Sequence, residues 1–165
     1  MRAAVACCLA SLLVVLTACS AYAPPADSMG KSGDQIVSQM GPPETRRTLD
    51  GGGTRLEFPR GPAGVHTWFV TLDAAGRVVR SEQVLTERNF LQVNPGMPQD
   101  EVRYLLGRPG EVSVLGRSRG VVWSYRYENS SCLWFQVEIA QDRTVRSAGY
   151  GEPPECRGPD ASAFE

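Results

Sequence analysis

The residue pattern predicts an α+β chain of two tandem units, each a short helix or helix pair packed on an antiparallel sheet of three to four strands. Three observations carry that expectation: an internal repeat at one offset, a short helical stripe opening each copy, and runs of alternating apolar and polar residues after it. The 165 residues, 42% hydrophobic and 21% charged, have ordinary globular composition and room for one domain or two very small ones.

Sliding the chain on itself by 66 residues aligns Gly30 with Gly96, Asp34 with Asp100, Gly41 with Gly107 and Pro43 with Pro109. Further on, Trp68-Phe69 falls on Trp134-Phe135, and Arg77-Val78-Val79-Arg80-Ser81 on Arg143-Thr144-Val145-Arg146-Ser147. Chance identity is roughly one position in sixteen, so two clustered blocks at one offset indicate a duplication. The middle stretch does not align, which points to drift in hairpin length.

In the second copy Val102, Leu105 and Leu106 form an i, i+3, i+4 stripe. Pro98 suits the first turn, Gly107 the left-handed stop, and Pro109 blocks continuation. Ile36, Val37 and Met40 play the same part before Gly41-Pro42-Pro43. Helices this short are marginal alone and must bury an apolar face on a sheet.

Strands follow. Trp123, Tyr125 and Tyr127 alternate with Ser124 and Arg126, Leu133, Phe135, Val137 and Ile139 alternate with Trp134, Gln136 and Glu138, and Asn129-Ser130-Ser131 joins the two runs as a hairpin. The first copy offers strands at 45–49, 56–58 and 67–72, separated by the Gly-rich stretch 50–53 and by 59–64. Trp68, Val70 and Leu72 share a face out of phase with Phe135 and Val137, so a bulge or one-residue slip must separate the copies.

The N-terminus gives the strongest functional signal. Met1-Arg2 precedes an uncharged apolar run too short for the ~20 residues a spanning helix needs, the form of a secretion signal. The run ends in Leu16-Thr17-Ala18-Cys19, which resembles the lipobox of bacterial lipoproteins; by that resemblance Cys19 becomes the first mature residue and carries acyl chains. The competing reading is an ordinary cleaved signal with a chance cysteine. Ser20 after the cysteine favours the outer over the inner membrane, by resemblance to sorting in enteric bacteria. Residues 20–31 are small, polar and Pro-containing and read as a tether.

The expected division is a signal at 1–18, a tether at 19–31, a first unit at 32–86, a connector at 87–94, a second unit at 95–151 and a Pro-rich tail at 152–165. Of five cysteines, Cys7 and Cys8 leave with the signal and Cys19 is lipidated. Cys132 and Cys156 remain, either bridged in an oxidising compartment or as two unpaired thiols.

Composition excludes several functions. A net charge of −1 offers no field for nucleic acid or an anionic membrane. His66 is the only histidine, which removes most nucleophile–base and multi-His metal sites. Gly51-Gly52-Gly53 lacks the Lys-Ser/Thr ending of a phosphate loop. No catalytic residue, metal site, small-molecule substrate or cofactor is expected beyond the lipid on Cys19. The aromatic residues supply a candidate partner surface: Trp123, Tyr125, Tyr127 and Trp134 cannot all point into one small core, because Trp134 alternates out of phase with Leu133 and Phe135. The competing reading is that helices cover that face.

The stretch Gly96-Met97-Pro98-Gln99-Asp100-Glu101-Val102-Arg103-Tyr104-Leu105-Leu106-Gly107-Arg108-Pro109, followed by Trp123 and Tyr125, resembles the small-protein-A/outer-membrane-lipoprotein-A family, the BamE type. The resemblance implies helices on an antiparallel sheet and an accessory role in inserting β-barrel proteins into the outer membrane. Those proteins usually carry one unit; a tandem looks like the β-lactamase-inhibitor-protein architecture, whose concave sheet binds another protein. Glu128 stands where a basic residue would better suit anionic lipid head groups, so no binding residue beyond Cys19 carries over. The expected function is that of an outer-membrane-anchored periplasmic module binding a protein partner. The alternative is an anchored inhibitor or binding protein for a periplasmic enzyme.

Overall fold

The structure, a computed structural model, describes residues 21–116 and 119–156. Each unit is a helix on a four-stranded antiparallel meander. The first comprises α1 (Gly33–Met40), β1 (Thr45–Thr48), β2 (Thr54–Pro59), β3 (Thr67–Leu72) and β4 (Val78–Gln83). A short helix α2 (Glu87–Phe90) leads to α3 (Gln99–Leu106), β5 (Glu111–Leu115), β6 (Gly120–Arg126), β7 (Trp134–Ile139) and β8 (Val145–Gly151), closed by a 3-10 turn at Pro154–Cys156.

Local chemistry sets the helix ends. The Ser32 hydroxyl accepts from the Gln35 N–H at 3.3 Å while Gln35 Oε1 accepts from the Ser32 N–H at 2.9 Å, a reciprocal cap. Pro98 precedes α3, and Asp100 and Glu101 face its partial positive charge. Gly41 and Gly107 end the two helices at φ 83° and 78°, where a Cβ would be strained.

The duplication holds in three dimensions, with one change to the alignment read from identities. The two left-handed glycines Gly30 and Gly96 each donate to the valine that opens the last strand, Val78 and Val145. The helices are therefore 66 residues apart, but the valines are 67 apart. Leu56 pairs Val70 where Trp123 pairs Val137, and the register shifts at Leu72 and Ile139, again 67 apart. The extra residue sits in the first hairpin: five residues separate paired Thr48 and Thr54, and six separate paired Val114 and Val121. The expected slip is thus real, and the middle stretch has drifted by one residue only. Trp68 corresponds to Phe135, not Trp134, and the shared Arg-x-Val-Arg-Ser letters are one position out of structural register. Arg143, at φ 68°, takes the left-handed turn position held by Gly76 in the first copy.

Alternation gives each sheet two faces. Leu56, Phe58, Val70, Leu72 and Val78 bury one face of sheet 1 against Ile36 and Met40 of α1. Its other face carries Arg55, Glu57 and Phe69 and receives α3: a Cβ on Gly107 would lie 2.9 Å from the Thr67 methyl and 3.3 Å from the Phe69 ring. The opposite side of α3, Val102 and Leu106, joins Trp123, Tyr125, Phe135, Val137 and Ile139 in the core of sheet 2. The layers run α1, sheet 1, α3, sheet 2. The two sheets are separate, so the described residues contain no continuous concave sheet spanning both units.

The 21–31 stretch, expected as a tether, lies against the first unit. Ala21 donates to the Gln39 carbonyl at 2.6 Å, and Ser28 is buried. The turn Lys31 N–H to Ser28 O matches Met97 N–H to Asn94 O, so the equivalence reaches four residues ahead of the expected unit start. The connector, too, is structural: Phe90 is 2% exposed and stacks on Phe135 with ring centroids 4.2 Å apart.

Candidate functional site

Strand alternation and the seating of α3 create the junction between the units. Arg55 and Glu57 project from β2 toward α3 and lose water together. The Arg55 guanidinium reaches Glu57 at 2.8 Å and lies between the Phe69 and Tyr104 rings, 4.2 Å from each centroid. Arg47 also reaches Glu57, at 3.1 Å. A planar cation held between two aromatic faces and a carboxylate thus joins β2 and β3 of the first unit to α3 of the second.

Beside it opens a cleft of about 540 Å³, walled by Phe69, Arg80 and Glu82 of sheet 1, by Arg88 of α2, by Gln92 in the turn after it and by Tyr104 of α3. Arg80 is paired with Glu82 at 2.5 Å. The cleft holds guanidinium, amide and aromatic groups but no nucleophile–base arrangement. Among the described residues no group of His, Cys, Asp or Glu could hold a metal ion. No helix of the described residues is long and apolar enough to cross a membrane.

A second feature lies on the other side of α3. Strand β5 is an outer strand of its sheet, and no described strand pairs with its far edge. Val112 is 50% and Val114 81% exposed. Their partners are Trp123 and Val121, so both valines stand on the face that carries α3, beyond the helix's cover. With Gln99, Leu115, Val121 and Ile139, Val114 borders a shallow groove of about 300 Å³. Exposed β-branched residues on an unpaired edge form a surface suited to another chain.

The aromatic residues expected at a partner surface are elsewhere. Trp123, Tyr125, Tyr127 and Trp134 are 4%, 1%, 9% and 8% exposed, so none offers a free ring face. Trp123, Tyr125 and Tyr127 lie under α2 and α3, because the connector contributes Phe90 to a core that three strand aromatics would otherwise leave open. Trp134 does point to the opposite face, as its phase requires, but there it lies beside Pro62 and Gly110 and under the Arg126 guanidinium, 5.1 Å from its ring centroid.

Cys19 lies outside the described residues. Cys132 and Cys156 are bridged, with Cα atoms 6.4 Å apart, and the bridge holds the C-terminal turn to the β6–β7 loop. His66 links the N-terminal segment to the second unit: Nδ1 is 3.1 Å from the Tyr22 hydroxyl and Nε2 3.2 Å from Glu128 Oε2.

Three phenols sit where ionisation is unfavourable. Burial pushes the Tyr125 hydroxyl well above its ordinary value, and it donates to the Gly107 carbonyl at 3.2 Å. Burial, and then the Glu87 carboxylate that accepts from both, raise Tyr127 and Tyr150. Glu87 thereby ties α2 to sheet 2.

Residues 82–131 match the family model described as outer membrane protein assembly factor BamE domain. The match runs from the end of β4 through α2, α3, β5 and β6, and so covers one wall of the cleft and the whole β5 edge. It supports a BamE-like fold for that stretch. No curated protein matches the chain. Among solved structures, a DUF4309 family protein (YjgB) from Bacillus subtilis is similar over 74% of this chain and 79% of its own, at 13% identity and a TM-score of 0.29.

Sequence reasoning missed the Arg55–Glu57 pair, Tyr104 and Glu87. Arg55 and Glu57 alternate with Leu56 and Phe58, which reads as an exposed polar face. The available signal was Phe69: in a strand whose other face carries Trp68 and Val70, it indicates that both faces are covered.

Proposed function

We propose that this chain is a lipoprotein acylated at Cys19, held on the periplasmic face of the outer membrane, and that it acts there as a non-catalytic protein-interaction module in outer-membrane β-barrel assembly. The observation that carries the reading is the BamE-domain match over residues 82–131, which falls on the segment bearing the unpaired β5 edge. The lipobox-like Leu16-Thr17-Ala18-Cys19 supports the anchor.

Affinity purification of the full-length chain from detergent-solubilised envelopes tests the proposal. Stoichiometric recovery of barrel-assembly components is expected, together with an intact mass carrying acyl chains at the mature N-terminus. Recovery of one soluble periplasmic enzyme instead would favour an anchored inhibitor and overturn the assembly role.

A further inference from the structure

We infer that residues 21 and 22 form a latch that holds the β2–β3 loop end of the molecule against the lipid head groups, so that the anchored protein stands in one orientation. The inference rests on the proposed acylation of Cys19 and adds to it which end faces the membrane.

The latch is built from Arg60 and Tyr22. Arg60 donates through Nε to the Tyr22 carbonyl and through Nη2 to the Ala21 carbonyl, both at 2.8 Å. The Tyr22 hydroxyl accepts from the Val65 N–H at 3.0 Å and meets His66 Nδ1 at 3.1 Å, and its ring stands edge-on to the imidazole. Burial, first of all, lowers the Arg60 pKa, as expected of a guanidinium enclosed by carbonyls and a ring.

Reach turns these contacts into orientation. From Cys19 to Tyr22 there are three peptide steps, which span at most ~11 Å. A free tether up to Ser32 would span ~45 Å extended, or about 20 Å as a flexible coil. The latch removes most of that freedom.

Topology says which parts come close to the lipid. In a meander, successive turns alternate ends, so the loop between β2 and β3 lies opposite the turns at 49–53 and 73–77. Six-residue strands put those ends ~20 Å apart. The second unit is oriented the same way: Arg126 reaches the Ala63 carbonyl at 3.4 Å, His66 meets Glu128, and the Cys132–Cys156 bridge sits in the matching loop. The groove beside Val114, Gly120 and Gln141 opens at the far end, toward the periplasm.

Among the described residues, charge does not supply this orientation. At the lipid-facing end Arg126 is paired with Glu155, Arg108 with Glu44 and His66 with Glu128, while Arg60 is spent on carbonyls. The latch must therefore work on neutral lipid and at high salt.

The test uses the full-length acylated protein in phosphatidylcholine vesicles containing a nickel-chelating lipid. A spin label is placed at Ala63→Cys or Ala75→Cys without reducing the native bridge. Relaxation by headgroup nickel should be several-fold stronger at position 63 than at 75, and should not change as ionic strength rises. Inserting about ten Gly/Ser residues between Ser20 and Ala21 leaves the folded part untouched and should abolish the contrast. Tyr22→Ala should weaken it while the melting temperature stays within a few degrees. Equal relaxation at both sites, or a contrast that survives the insertion, would overturn the latch while leaving the anchor intact. Failure of the protein to float with vesicles would overturn the acylation reading itself, and the latch with it.

Discussion

The two units share one fold and differ in what covers their sheets. Sheet 1 is enclosed on both faces, by α1 and by α3, whereas sheet 2 has helices on one face only. Structural equivalence makes the contrast specific. Arg55 and Glu57 of β2 stand where Val122 and Ser124 stand in β6, 67 residues on. The first unit has been adapted to lie under its neighbour's helix, and it does so with an ion pair and an aromatic stack rather than with aliphatic packing. Both sheets have outer strands unpaired on one side, and the second carries Val112 and Val114, 50% and 81% exposed, on one of its own. Duplication thus produced one unit that supports and one that presents a surface.

The largest expected effect comes from breaking the supporting side. Glu57→Ala leaves the Arg55 guanidinium enclosed without its carboxylate, and should lower unfolding free energy by about 3–5 kcal/mol in denaturant titration. Ser124→Ala, the matching change in the second unit, should cost less than about 1 kcal/mol, since the hydroxyl makes a long 3.4 Å contact with Gln136 Nε2. Equal losses at the two positions would remove the contrast.

The disulfide comes next. It belongs to the second unit alone and closes a sequence separation of 24 residues, so Cys132→Ser with Cys156→Ser should lower stability by at most about 3 kcal/mol. Because the bridge pins only the terminal turn, α2 and α3 should keep their native amide-exchange protection. Loss of protection in those helices would mean that the bridge organises the whole unit.

A smaller effect separates the two cores by pH. Tyr125 occupies the place that Phe58 holds in the first unit. Its phenol is pushed up by burial from an ordinary value of 10.0, so the folded chain retains a proton that the unfolded chain releases. Stability is therefore full below about pH 10 and falls as pH rises past it. Tyr125→Phe, which makes the second core resemble the first, should shed about 1 kcal/mol at neutral pH with the lost bond to Gly107, and should flatten the alkaline decline. An unchanged alkaline slope would assign the effect to Tyr127 and Tyr150.

The sequence carried the helices well, because Gly107-x-Pro109 and Gly41-Pro42-Pro43 are chemical stop signals that no tertiary contact needs to supply. It carried the duplication and the need for a slip, but not where the slip falls. A one-residue insertion in an exposed turn leaves no trace in composition, and repeated Val and Arg letters aligned at the wrong offset. Strand β5 escaped because its valines are exposed at an edge. Helix α2 spans only four residues, too few for a period, and the closure of the second core by Phe90 made Trp123, Tyr125 and Tyr127 buried residues instead of a surface. The Arg55–Glu57 pair looked like a solvated face because alternation reports which side a residue is on, not what lies there.

The central claim is that the second unit presents its unpaired edge to the barrel-assembly machinery while the first unit supports it. Photo-crosslinking in living cells tests this directly, with the reactive residue placed at Val114 or, as the matched site on the first unit, at Thr48. The account predicts adducts with a barrel-assembly component from Val114 and few or none from Thr48. Adducts from Thr48 alone, or none from either site while the protein is present in its acylated form, would contradict it.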